Sequence, residues 1–155
     1  MWFDPPLNLA AMSGILKIHS NASDGGIFGH SWIEYCPIDG HPVTYGTWGN
    51  HPEGGANGLR ENLEAGQRGD YCRAAFINRQ QVSLLFAAIE VYRRKGPAAW
   101  SLATPCSSFA ADAWGAATGE KLTHKTAMFS TPARLARAIA EANANDSRGT
   151  KPFSD

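Results

Sequence analysis

Apolar positions fall at strand-like intervals in the first half of the chain and at helical intervals in the second. Gly14-Ile15-Leu16-Lys17-Ile18-His19 reads as a short strand, Ile27 to Tyr35 as a second, and Val43-Thr44-Tyr45-Gly46-Thr47-Trp48 as a third. Asp39-Gly40 between the last two is a hairpin-turn signal. Tyr71 to Ile77 is a further strand. Asn78-Arg79-Gln80-Gln81 then has the form of a capping box, and Val82, Leu85, Phe86, Ile89 and Tyr92 line one face of the helix it would open. Arg93, Arg94 and Lys95 suit the negative end of its dipole, and Gly96-Pro97 ends it. Cys106, Phe109, Ala110, Ala113, Trp114 and Ala117 form the stripe of a second helix, with Thr104 as cap, Pro105 in its first turn and Gly119 as stop. Thr131-Pro132 starts a last helix whose apolar face is Leu135, Ala138, Ile139 and Ala142.

Between these elements the chain reads as irregular. Residues 1–13 form an arm, Asn21 to Gly26 and Asn50 to Gly58 are turn-rich loops, Leu59 to Gly69 is polar with room for one helical turn, and 143–155 is polar and frayed. There is no repeat and no linker, so the 155 residues are expected to form a single domain, 1–155. A small antiparallel sheet followed by helices predicts the α+β class.

Composition narrows the functional classes. Lys plus Arg and Asp plus Glu each number 14, so no basic surplus points to nucleic acid or an anionic membrane. No apolar run approaches the length of a membrane span. Met1-Trp2-Phe3-Asp4-Pro5-Pro6 lacks the basic and apolar regions of a secretory signal, which predicts a chain folded in the cytoplasm that makes it. Cys36, Cys72 and Cys106 have no close-pair spacing, and the histidines at 19, 30, 41, 51 and 124 contain no His-x-x-x-His pair. Neither a zinc site nor a disulfide framework is expected, and no cofactor.

The chemistry-bearing candidates are Cys106 and His30. A thiol in the first turn of a helix sits at the positive end of the macrodipole, which favours the nucleophilic thiolate. A buried small hydrophobe on the helix stripe is the alternative reading of Cys106. A cysteine nucleophile needs a base, and His30, opening a strand behind Gly29 and before bulky residues, is the best placed histidine; His19 on the neighbouring strand is the alternative. The imidazole also needs an orienting partner. Glu34 shares its face but lies four residues along the strand, about 13 Å away. A two-residue turn at Asp39-Gly40 puts His30 opposite Gly49 with Thr47 diagonal on the same face, which makes Thr47 the candidate and Asn50 the next. Trp32, Tyr45 and Trp48 are either groove or core aromatics, and Cys36 and Cys72 read as structural.

Gly29-His30-Ser31-Trp32-Ile33, Thr44-Tyr45-Gly46-Thr47-Trp48 and Cys106-Ser107-Ser108-Phe109-Ala110 together resemble the circularly permuted branch of the papain-like fold, which includes relatives of the NlpC-type cell-wall peptidases. In ordinary papain-like enzymes the cysteine helix precedes the histidine strand; in the permuted branch the histidine strand comes first, as here. Gly119, Leu122 and Ser130-Thr131-Pro132-Ala133-Arg134-Leu135 also resemble small bacterial effector amidases, and the likeness covers residues 15–140. Pro105 stands where relatives often carry asparagine, and the third triad member is not a clear histidine or acid.

The resemblance implies acyl chemistry. Cys106 attacks an amide or ester carbonyl, His30 takes and returns the proton, and N–H groups at the start of the cysteine helix hold the oxyanion. It also implies a cysteine amidase or peptidase acting on bacterial peptidoglycan as a type VI secretion effector, a toxin delivered to the periplasm of a target cell and paired with an immunity protein. Two other functions stay open: a thiol acyl-transfer enzyme or deamidase acting on lipid or host protein, and a catalytically silent binding module of the same fold.

Overall fold

A computed structural model describes residues 12–22, 29–49, 57–126 and 129–146. They form an α+β arrangement. Strands β1 (Met12–Ala22), β2 (Gly29–Pro37), β3 (Val43–Trp48), β4 (Gly58–Glu61) and β5 (Tyr71–Asn78) make one antiparallel sheet in the order β4-β3-β2-β1-β5. Helices α1 (Arg79–Arg94), α2 (Cys106–Thr118) and α3 (Pro132–Asp146) follow, with a two-stranded ribbon of β6 (Lys125–Thr126) and β7 (Phe129–Ser130) before the last.

Strand alternation divides the sheet into two faces. Leu16, Ile18, Ile33, Tyr35, Tyr45 and Ile77 join Leu85, Ile89, Phe109, Trp114, Leu135 and Ile139 in one buried core against the helices. His19, His30, Trp32 and Glu34 project from the opposite face. That face is crossed by residues 62–70, which connect β4 to β5.

The helix signals behave unequally. Asn78 and Gln81 make the reciprocal capping box, each side chain accepting from the other's backbone N–H at 2.9 Å. Gly119 closes α2 in the left-handed conformation at φ 76°, its N–H donating to Gly115 at 2.9 Å. The start of α2 differs from expectation. Pro105 occupies the cap position and Cys106 is the first helical residue, with no side-chain cap. Thr104 is instead tied into a turn, where its N–H donates to Ser101 Oγ at 3.0 Å. The helix is also buried well beyond one stripe, Ser107, Ser108 and Ala111 included, because it lies against both the sheet and α1.

Three other expectations change. β1 is longer than 14–19 because it is a central strand, paired along its length with both β2 and β5. Residues 58–61, expected to be loop and polar helical turn, form β4 on β3. Residues 143–146, expected to fray, belong to α3: Asn143 donates to the Cys72 carbonyl at 2.8 Å, and Arg73 holds both Asn143 and Asp146. Residues 12–13 of the expected arm and 21–22 of the expected loop belong to β1, while 1–11, 23–28 (strand positions 27–28 included), 50–56 and 147–155 lie outside the described residues. Among the described residues no helix is long and apolar enough to cross a membrane.

Candidate active site

The β2–β3 register decides the site. A two-residue turn would place Ile33 opposite Gly46; the sheet pairs it with Tyr45, Glu34 with Thr44 and Tyr35 with Val43. The connection is therefore longer than two residues. Pro37 and Pro42 bracket it and have no N–H to donate to a ladder. A one-residue shift exchanges the faces of β3. Thr44, Gly46 and Trp48 thus share the face of His30, while Thr47 points into the other, fully buried, its hydroxyl without a hydrogen-bond partner. Thr47 does not orient His30, and Asn50 lies outside the described residues.

The partner of His30 is Glu64. Its Oε1 lies 2.6 Å from His30 Nε2, and its side chain is only 1% exposed. Trp48 Nε1 donates to the same oxygen at 2.9 Å, and Thr44 Oγ1 donates to Oε2 at 2.9 Å. A buried carboxylate needs such donors, since each unpaired oxygen would carry a desolvation cost. The backbone that delivers it turns at Asn62, a left-handed residue at φ 62°. Asn62 donates its N–H to the Thr44 carbonyl at 2.9 Å and accepts the Thr44 N–H on Oδ1 at 3.2 Å. The turn sends the chain back over the sheet and sets Glu64 above Gly46. Only glycine fits there: a Cβ would stand 2.3 Å from Glu64 Oε1 and 3.1 Å from His30 Nε2.

His30 is packed as well as hydrogen-bonded. Its ring lies 3.9 Å from that of Trp48 and stacks on Trp32 at 5.5 Å. Cys106, 5% exposed, lies within hydrogen-bonding and electrostatic reach of the imidazole. With Nε2 held by Glu64, Nδ1 is the nitrogen left for the sulfur. Burial is the largest influence on His30 and opposes its charge. Hydrogen bonds to Cys106 and Glu64, with the attraction of both, outweigh it and raise the imidazole to about 9. The structure thus brings together two residues 76 positions apart, Cys106 and His30, and adds Glu64. No periodicity or motif in the polar stretch 59–69 marks Glu64; only the true register, which puts Gly46 rather than Thr47 beside His30, points toward it.

The remaining candidates have other roles. His19 is fully buried and bonded to Glu34 at 2.9 Å. Cys36 donates to Glu34 at 3.4 Å; burial first, then Glu34, pushes its thiol up to about 11. Tyr45 packs edge-on to Phe86 in the core at 6.2 Å. Trp32 and Trp48 pack against the His30 ring. The groove at the thiol, about 480 Å³, is lined by Trp100, Leu102, Pro105, Cys106 and Phe129 together with Gly29 and residues 130–132. Among the described residues no three His, Cys, Asp or Glu side chains are grouped to hold a metal ion.

No family model, curated protein or solved structure matches the chain.

Proposed function

We propose that the protein is a cysteine hydrolase of the permuted papain-like type, with Cys106 as nucleophile, His30 as proton carrier and Glu64 as the group that orients the imidazole. The observation that carries the reading is the convergence on one imidazole of Glu64, 2.6 Å from His30 Nε2, and of Cys106 at the first turn of α2, which is near enough to raise the His30 pKa. A histidine held cationic to about pH 9 is the counter-ion a thiolate needs. Sulfur attacks the carbonyl, and a C–S bond forms as the bond to the leaving nitrogen or oxygen breaks. The His30 proton goes to the leaving atom. Water then attacks the thioester, gives its proton to His30, and the C–S bond breaks to release the acid and the thiolate. The Ser108 N–H is taken by the Pro105 carbonyl at 3.0 Å, so the oxyanion falls to the N–H groups of Cys106 and Ser107 at the head of the helix.

An amide of bacterial peptidoglycan is the first substrate to test, on the sequence resemblance alone. The effector role, periplasmic delivery and an immunity partner rest on the same ground. Purified sacculi digested with the wild-type protein are expected to release new muropeptides, and Cys106→Ala to release none. Absence of products from the wild type overturns the substrate.

A further inference from the structure

The first turn of α2 begins without a side-chain cap. Pro105 holds the cap position, Thr104 is tied into the preceding turn, and the Ser108 N–H is taken by the Pro105 carbonyl. Ser107 anchors this turn from outside the helix: it is fully buried, and its Oγ lies 2.6 Å from Ser130 Oγ on β7. Ser130 Oγ in turn lies 2.8 Å from His124 Nδ1. The Thr131 N–H donates to the His124 carbonyl at 2.9 Å, which holds the histidine's backbone beside the same strand. Ser130 lines the groove at the thiol, whereas His124 lines a cavity of about 280 Å³ with Asp112, Glu120 and Lys121. The line thus runs from the residue next to the nucleophile to a second cavity that shares no lining residue with the groove.

One order of protons satisfies both hydroxyls in the line. With Nδ1 unprotonated, Ser130 donates to His124 and Ser107 donates to Ser130. With a proton on Nδ1, His124 donates to Ser130 and Ser130 donates to Ser107. The Ser107 O–H is then left without an acceptor in a fully buried position, since it has no other hydrogen-bond partner among the described residues. The surroundings favour the first order. Burial is the main cause holding the His124 imidazole below its usual 6.5; Lys125 and Lys121 add to it, and Asp112 on α2 opposes it. A neutral His124 therefore ties Ser107 down, and a cationic one turns each hydrogen bond around.

We propose that His124 is a positioning residue for the reaction at Cys106: through Ser130 and Ser107 it fixes the turn of α2 whose N–H groups receive the oxyanion, and a proton on His124 reverses the line and loosens that turn. This rests on the cysteine-hydrolase reading and adds to it a control at low pH that lies outside the group of Cys106, His30 and Glu64. No bond of the substrate is made or broken at His124. The thiolate and its imidazolium are untouched by it, so the step that suffers is addition to a carbonyl and not the nucleophilicity of the sulfur.

The test compares two reactions of Cys106 in the purified protein, with Cys106→Ala as the blank for both. Acylation by p-nitrophenyl acetate passes through an oxyanion; alkylation by iodoacetamide needs the thiolate but forms no oxyanion. The ratio of the two rates cancels the titration of the Cys106 and His30 pair. In the wild type this ratio is expected to fall with a one-proton slope as pH drops through a value below 6.5, at the midpoint where the isotope-labelled His124 ring titrates by NMR. His124→Asn, whose Oδ1 accepts in place of Nδ1 and does not titrate, is expected to keep the neutral-pH ratio and lose the acid limb. His124→Ala and Ser130→Ala are expected to lower the ratio about tenfold at every pH, part of the roughly 10²–10³ that an oxyanion donor is worth, with the alkylation rate unchanged. A wild-type ratio that is flat with pH, a midpoint that differs from that of the His124 ring, or an acid limb that survives in His124→Asn overturns the proposal and leaves the hydrolase standing. So does an unchanged ratio in both alanine variants. If Cys106 is not acylated, the proposal falls; if in addition His30→Ala leaves the pH profile of alkylation unchanged, the hydrolase reading fails too.

Discussion

Two histidine–glutamate pairs flank Trp32 on the same face of the sheet, and only one belongs to the candidate active site. His19 stacks on the indole at 4.9 Å and His30 at 5.5 Å. Each presents Nε2 to a carboxylate, Glu34 at 2.9 Å and Glu64 at 2.6 Å. The second nitrogen separates them. His19 Nδ1 accepts the Gly69 N–H at 3.1 Å, which puts its proton on Nε2 and leaves no nitrogen for chemistry. His30 Nδ1 is left for the Cys106 thiol at a groove wall. A buried, carboxylate-bound histidine is therefore a structural cross-brace by itself. It becomes a proton carrier only where its remaining nitrogen meets a nucleophile that substrate can reach.

The largest effect that would break the comparison lies in exchanging the two histidines' fates. His30→Gln is expected to reduce kcat/KM for any substrate cleaved through Cys106 by about 10²–10⁴. His19→Gln is expected to preserve turnover while lowering Tm by a few degrees, measured by thermal denaturation beside the rate assay. Equal losses of activity in both variants would make the pairs equivalent.

The carboxylates sharpen it next. Glu64→Gln removes an anion that helps keep His30 charged. Activity is expected to fall at least about tenfold, and the alkaline limb of the rate profile to move down from about 9 toward the ordinary imidazole value of 6.5. The sign follows from linkage. A histidine raised in the folded state contributes stability that is complete below 6.5 and is lost as pH rises through about 9. Wild-type stability therefore declines across that interval, and that of the Glu64→Gln variant declines less. Denaturant midpoints at several pH values measure this.

Glu34→Gln is the milder counterpart. The hydrogen bond from His19 is the main cause holding the Glu34 carboxyl below its usual 4.5, with Cys36 and Lys17 adding to it against burial. Its contribution is present above 4.5 and lost as pH falls. The variant is expected to be about 1–2 kcal/mol less stable near neutrality, with a flatter acid limb and normal catalysis, read from denaturant midpoints beside the rate assay.

The smallest effect tests the register. Thr47→Val replaces a buried, unpartnered hydroxyl by a methyl of similar shape. It is expected to stabilise the fold by up to about 1 kcal/mol without altering the rate. A large loss of activity would return Thr47 to the site.

What could be read from the chain alone was local. The capping box at Asn78 and Gln81, the stop at Gly119, the strand carrying His30 and the helix opening at Cys106 each depend on residues within a few positions of one another, where periodicity and turn chemistry act directly. The cysteine and the histidine were recognisable because their element ends are marked in that way. Tertiary structure decided the rest. Two prolines lengthened the β2–β3 connection and shifted its register by one, which carried Thr47 into the core and Gly46 beside His30. Glu64 reached His30 across 34 positions through the turn at Asn62, and the groove was assembled from Gly29, residues 100–106 and residues 129–132. Such pairings leave no periodic trace, because the energy that selects them comes from burial and hydrogen bonding between segments distant in sequence, and it exists only once the sheet and helices have met.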